Sequence, residues 1–509
     1  MLVRSHFLPA FVIGIEEGEV CQMARKTLRN CLMTVGPVLF LLFPVSSWTG
    51  DVSGGGQRTS PGIELKHKYI AAGSGHSLAV TCEGDVYAWG NNGDCQLGQG
   101  YGSQMIDFPA LVYGPPGVVE VVGGGCHSLS LMGVGHVYAW GCNYHGQLGT
   151  QSEYEECAPI QVHGPGDLTY LTNITKVAAG LNHSLAVKND GSLWSWGAGE
   201  HGQLGIHSQD DHTIPYQVHG PGDVGYLTDV VEVAAGDQHT LAVRSDGTVY
   251  AWGDGGHGQL GIGSNDDHTV PYQVHGPDNV GYLTGIDEAG AGANFSLALR
   301  NDGTVWAWGE NYYGQLGIHS NNDQTVPNQV HGPGDVGYMT DVVDIAAGDH
   351  HTLALKSDGT VYAWGGNGHG QLGIGSDDDH TIPYQVHGPG DVGYLTGIIE
   401  VEAGKYFSLA LRYDGTVWAW GEGGDGQLGI HSNNDHTIPY QVHGPDNVGD
   451  LTGIGPICLT PPPGAPTPGG AETAICHKPG MAHEKTLYIP WKALKGHLSH
   501  GDTLGACLP

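Results

Sequence analysis

Seven Trp-Gly pairs set the terms for any fold of this chain. Their tryptophans, Trp89, Trp140, Trp196, Trp252, Trp308, Trp364 and Trp420, lie 51 and then five times 56 residues apart. A Gly-Gln-Leu-Gly or near variant follows each pair, marked by Gln96, Gln147, Gln203, Gln259, Gln315, Gln371 and Gln427. Self-similarity at such a period belongs to repeat architectures, in which one unit cannot bury its own apolar faces and needs its neighbours.

The unit reads as strands. In the copy spanning 231–286, the stretches 239–243 and 248–252 alternate in polarity around Ser245-Asp246-Gly247, a hairpin signal. The run from Val233 supplies a strand before the hairpin, and 271–274 a short one after it. Four short antiparallel strands repeated seven times predict an all-β, seven-bladed propeller. The tryptophans then serve as blade-to-blade packing, each burying on the order of 200 Å². Glycine before the blade histidine and after the tryptophan marks close backbone approach. A finer alternation runs through the copies. Trp194, Trp306 and Trp418, with His207, His319 and His431, mark blades three, five and seven, whereas Tyr250 and Tyr362, with Gly263 and Gly375, mark blades four and six. This 112-residue double period indicates growth by duplication, which suits a scaffold.

Glycine and proline are abundant (87 and 28 of 509 residues), but disorder would lack a period. The formal charge of −34 argues against nucleic acid, whose phosphates call for a basic surface. The 30 histidines would bring this to −4 if all were protonated, so association on mild acidification is expected.

The blade pattern, small-small-Gly-x-x-His-(Ser/Thr) followed by Trp-Gly and Gly-Gln-Leu-Gly, resembles the regulator of chromosome condensation repeat family over residues 63–457. The resemblance implies a seven-bladed ring with a central channel. Closure is expected to join a strand near 63–70 to a tail strand around 451–454. The nuclear member of the family exchanges guanine nucleotide on a small GTPase. That role is a distant alternative here, because the regular blades carry no inserted wedge. A plant ultraviolet-B photoreceptor in the family has tryptophan directly after the blade glycine, where this chain has Leu181, Asp237, Ala293, Asp349 and Lys405, which argues against photoreception of that kind. A secreted bacterial inhibitor of the same shape caps a β-lactamase with one propeller face, so the resemblance also implies protein binding.

Two residue sets could carry chemistry. The blade histidines His76, His127, His183, His239 and His351 give way to Phe295 and Phe407 in blades five and seven, so they read as structural, bonded to neighbouring backbone. The loops after Gly-Gln-Leu-Gly are acidic: Asp210, Asp211, Asp266, Asp267, Asp323, Asp377, Asp378, Asp379 and Asp435. Calcium takes six to eight oxygens, more than one loop offers, so solvated turns are the first reading, with weak calcium binding or partner contact as the alternative. No serine-nucleophile elbow, phosphate loop or His-Glu-x-x-His motif is present.

Residues 1–50 read as a leader, with Met23 an alternative start. Arg25, Lys26 and Arg29 precede an apolar run from Cys31 to Val45, in the order of a secretory signal, and an uncleaved anchor is the alternative. A Pro/Gly-rich linker at 459–472 leads to a small module at 473–509. Eight cysteines follow the leader, an even count consistent with pairing in an oxidising compartment. Cys458 is placed to pin the ring. A Cys476–Cys507 disulfide would staple the module; the alternative is a zinc set with His477, His497 and His500. Together these readings predict a secreted or cell-surface monomer with no cofactor and no stable membrane insertion. Its expected role is a non-catalytic scaffold binding a protein or surface glycan. The alternatives are a hydrolase or lyase at the channel mouth and a structural protein attached through its tail.

Overall fold

The computed structural model describes residues 67–102 and 105–456, and the backbone of three later strands, Glu472–His477, Lys485–Pro490 and Thr503–Leu504. The leader, the linker, Cys458 and the proposed Cys476–Cys507 bridge lie outside the described residues. The three later strands form a small antiparallel sheet with Glu472–His477 in its centre.

Seven four-stranded antiparallel sheets account for the repeats, each in the order first-second-third-fourth. In blade four the strands are Val230–Ala235, His239–Arg244, Val249–Gly253 and His268–Gln273. The blades begin at Ile70, Val118, Ile174, Val230, Ile286, Val342 and Ile398. Every blade is built from consecutive strands of its own repeat. First strands stand beside one another around the axis: Val401 N donates to Asp344 Oδ2 at 3.0 Å, and Ile70 N to Glu400 Oε1 at 3.0 Å.

One acceptor holds each junction. The Gln203 carbonyl of blade three takes hydrogen bonds from Trp252 Nε1 (2.9 Å) and Thr240 Oγ1 (2.8 Å) of blade four. Register explains the pairing, because Thr240 lies opposite Trp252 on adjacent strands and both side chains reach the same side. All seven junctions repeat this. The last closes the ring, with Gln427 accepting from Trp89 Nε1 and Ser77 Oγ, both at 2.8 Å. All seven of these tryptophans are fully buried. Gly253, after the tryptophan, has φ +105°, and a Cβ there would lie 2.4 Å from the Gln238 carbonyl.

The blade histidines join the same clamp. His239 Nε2 lies 3.0 Å from Ser296 Oγ, which donates to the Gln259 carbonyl at 2.8 Å. That hydroxyl's proton is committed to the carbonyl, so the imidazole donates from Nε2. The sequence reading paired these histidines with backbone; they reach it through a hydroxyl of the next blade. Nδ1 is left buried without a partner, against the blade glycine. A Cβ on Gly236 would lie 2.3 Å from His239 Cε1.

Closure is made by a short tail segment that extends the first-strand position of blade one. The first strand of blade one is only Ile70–Ala72, and Ile454 bridges Thr81 just beyond it, as Val230 pairs with Arg244 in blade four. Among the described residues the two ends therefore do not pair with each other, contrary to the expectation from sequence. They share one strand position against the second strand of blade one.

Disulfides reinforce the first blades. At later junctions a glycine and a threonine nearly touch: a Cβ on Gly146 would be 2.6 Å from Thr213 Cα. Cys95 and Cys157 take those two places between blades one and two and are bonded. Cys126 and Cys142 are bonded within blade two. Cys82 is also disulfide-bonded.

Removing either donor from Gln203 should cost about 1 kcal/mol, whereas removing both orphans a buried carbonyl at a further cost of about 1–3 kcal/mol. Urea unfolding of Trp252→Phe, Thr240→Val and the double variant is expected to be more than additive; strict additivity would count against the clamp. A second expectation concerns pH. Burial lowers the pKa of His76 and His183 to about 4 and that of His127, His239 and His351 to about 3. The unfolded chain takes up these protons below about 6.5, while the folded ring does not. Stability should therefore fall as pH drops from about 6.5 to 4, by at most about 1.4 kcal/mol per unit per histidine. His239→Phe, the residue type of blades five and seven, should shallow that slope; an unchanged slope would refute the assignment. It also follows that the folded ring does not reach the −4 charge limit near pH 5.

Candidate functional site at the channel mouth

The loop acids named from sequence do not converge. They are distributed one set per blade, and the last acid of each set closes its own loop. Asp211 Oδ1 accepts from Gly199 N at 2.9 Å, and Asp267, Asp323, Asp379 and Asp435 accept from Gly255, Asn311, Asn367 and Gly423. Several also reach the blade before. Asp211 lies 2.8 Å from His145 Nδ1, Asp323 3.1 Å from His257 and Asp435 2.8 Å from His369. Asp210, Asp266 and Asp378 stay exposed.

Inside the channel the first strands carry one charged ring. Lys176 Nζ lies 3.4 Å from Glu232 and 4.0 Å from Glu120, and Lys68 Nζ lies 2.6 Å from Glu402. Burial opposes the charge on both lysines, but the surrounding carboxylates hold their pKa values above the ordinary lysine range. Burial pushes Glu400 well up, although Tyr69 N and Ile70 N donate to it. These groups tie first strands together and are occupied in doing so.

The end of the channel beside the Gly-x-x-His turns is different. In blades one to three the residue after the blade glycine is Ser74, Gly125 or Leu181; in blades four, six and seven it is Asp237, Asp349 or Lys405. The next residue is His350 in blade six and Tyr406 in blade seven, and after Trp-Gly stand Glu310 and Glu422. These unlike residues meet. Lys405 Nζ is 3.9 Å from Asp349 Oδ2 and 5.3 Å from the Tyr406 ring centre. His350 Nδ1 is 3.8 Å from Glu310 Oε2, and its ring lies 4.9 Å from that of Tyr313. Tyr406 stacks on His369 with centres 5.1 Å apart.

Electrostatics mark the place as strained for anions. Burial first, and then the Asp237 charge, raise Asp349 to about 7 against the pull of Lys405. Burial likewise raises Asp237 and Glu422 and lowers His350. One lysine thus faces four carboxylates, half-buried between aromatic rings. Such a site suits an incoming cation, and its perturbed groups could also move protons. Sequence reading passed over it, treating Asp237, Asp349 and Lys405 only as places lacking tryptophan. The available signal was that these positions break the repeat.

Residues 104–455 match the model of the RCC1-like domain, and 68–96 match the regulator of chromosome condensation (RCC1) repeat. The chain belongs to the RCC1-like family. The ultraviolet-B receptor UVR8 of Arabidopsis thaliana is 32% identical over 376 residues, 73% of this chain and 80% of that protein. The human regulator of chromosome condensation is 29% identical over 405 residues, 76% of this chain and 92% of that protein. The human E3 ubiquitin-protein ligase HERC2 is 34% identical, but the match spans 6% of its length. Among solved structures, yeast RCC1 (Prp20) bound to Kap60 superposes with a TM-score of 0.61 at 22% identity, covering 79% of this chain and 92% of that one. Human WBSCR16 gives 0.60 at 24% identity, covering 71% and 96%. These two likenesses concern the fold.

The mouth of this RCC1-like ring yields a direct expectation. Asp237→Asn should bring the Asp349 pKa down, and Lys405→Met should drive it further up, as read from carboxyl carbon chemical shifts across pH 4–9. An Asp349 that titrates in the ordinary carboxylate range in the parent protein would contradict the arrangement.

Proposed function

We propose that this chain is an exported, non-catalytic propeller that holds a protein or surface partner against the end of the ring bearing the channel mouth. The observation that carries this is the break in repetition: blades four to seven place unlike charged and aromatic residues together at one end. The opposite end repeats one crossover motif, with Val224, Val280, Val336, Val392 and Val448 exposed in equivalent turns. Desolvated, under-neutralised carboxylates gain most from a lysine or arginine side chain brought by the partner. The family supports a binding role, since yeast RCC1 was solved bound to Kap60. Export rests on the leader-like order of residues 23–50 and on cysteines bonded in blades one and two.

A photo-crosslinking residue placed at Tyr406 of the full chain, in producing cells, should capture a partner that the same residue at Tyr282, among the opposite crossovers, does not. The double variant Asp237→Asn, Asp349→Asn should abolish that capture. Capture equal at both positions, or indifferent to the double variant, would refute the reading.

A second reading, a hydrolase or lyase, is favoured by one arrangement: Asp349, which burial pushes up to about 7, lies 3.9 Å from Lys405 and next to His350 in the chain. Turnover of an ester, glycoside or polyuronate that disappears in Asp349→Asn would replace the first reading.

A further inference from the structure

Four of the seven junctions set a histidine ahead of the Gly-Gln-Leu-Gly against the next blade's loop acid, and one of these four departs from the rest. At three junctions a histidine ahead of the Gly-Gln-Leu-Gly lies within hydrogen-bond reach of the next blade's loop acid, at 2.8, 3.1 and 2.8 Å for His145, His257 and His369. Between blades three and four the same pair, His201 Nδ1 and Asp267 Oδ2, stands 3.8 Å apart. A third donor accompanies them there. Asp254 follows the Trp-Gly of blade four, where the other blades have Asn91, Cys142, Ala198, Glu310, Gly366 and Glu422. Ligand atoms of His201, Asp254 and Asp267 all lie within 4.8 Å of one another.

We propose that His201, Asp254 and Asp267 bind a divalent transition-metal ion of the zinc class. Two ligands about 2.1 Å from a tetrahedral ion stand about 3.4 Å apart. The His201–Asp267 pair needs to close by only about 0.4 Å to reach this, and of the four histidine–acid pairs it alone has a third ligand beside it. The donor chemistry selects the metal: imidazole with two carboxylates suits zinc, cobalt or nickel, whereas calcium wants more oxygens and no nitrogen. Surrounding donors already orient the carboxylates. Gly255 N donates to Asp267 Oδ1 at 2.9 Å, Gly256 N to Asp254 Oδ1 at 3.0 Å and Gln259 Nε2 to Asp254 Oδ2 at 2.9 Å. The His201 and Asp267 side chains are 34% and 43% exposed, so the ion's remaining positions face water. Three protein ligands and an open side make a site that can also take a partner's carboxylate or imidazole. The assignment does not depend on the channel-mouth reading.

The test uses the full chain, stripped with chelator and titrated with Co²⁺ by visible absorption and with Zn²⁺ by calorimetry. Asp254→Ala is the principal variant. Blade three carries Ala198 at the same position, so the fold accommodates it, and an unchanged thermal melt without metal checks this. The expected result is that Asp254→Ala and Asp267→Asn each lose one equivalent of Zn²⁺, and that the His201 ring carbon resonance shifts on addition of metal only in the parent protein. Any metal held by the carboxyl-terminal cysteines and histidines would remain in both variants. Equal stoichiometry in parent and Asp254→Ala, or no binding by the parent at micromolar Zn²⁺, would overturn the assignment.

Discussion

A single backbone carbonyl per blade does most to make this chain a ring. The glutamine of Gly-Gln-Leu-Gly offers its C=O to an indole N–H and a hydroxyl of the following blade, in a site closed to water. A buried carbonyl with two donors is fully satisfied, and any slippage between blades would strand all three groups at once. The tryptophan thus acts as a wedge of apolar area and as a directional bond. The clamp fixes the rotation of each blade against the next, and seven such steps return to the start, where Trp89 and Ser77 meet Gln427.

Much of this was legible because the sequence states it seven times. Strand positions and the buried tryptophans emerge from one unit and are checked by the other six, and the Asp-Gly hairpin recurs in blades three to seven. The hydroxyl partner was harder to see. It follows the histidine position in every copy and is kept in the blades that come after Phe295 and Phe407, where Thr352 and Ser77 still donate to the Gln315 and Gln427 carbonyls. Its persistence where histidine is lost signals that the carbonyl, not the imidazole, is its principal partner. Ring closure was only half legible, because pattern shows that the ends must meet but not that Ile454 completes a strand position left short by Ile70–Ala72.

The site was less legible, for a physical reason. Averaging over repeats brings out what all blades need and suppresses what only some carry. The paired loop acids recur, so they drew attention, yet the last acid of each set caps its own loop, and three of them, Asp211, Asp323 and Asp435, also meet a histidine of the blade before. Asp237, Asp349, Lys405 and His350 differ from blade to blade and look like drift along the chain. Only the ring geometry, which sets blade four facing blades six and seven across the channel, turns that drift into a cluster. In a repeat protein the function-bearing residues are therefore best sought in the deviations at one fixed blade position.

The ring closed by seven equivalent clamps is the central claim, and the exchange of the indole protons tests it most directly. In a folded sample transferred to deuterated water, the Nε1 protons of Trp89, Trp140, Trp196, Trp252, Trp308, Trp364 and Trp420 should all persist for hours and disappear together as the ring unfolds. An early loss confined to Trp89 would mean that blades seven and one are not clamped, and that the chain is an open arc.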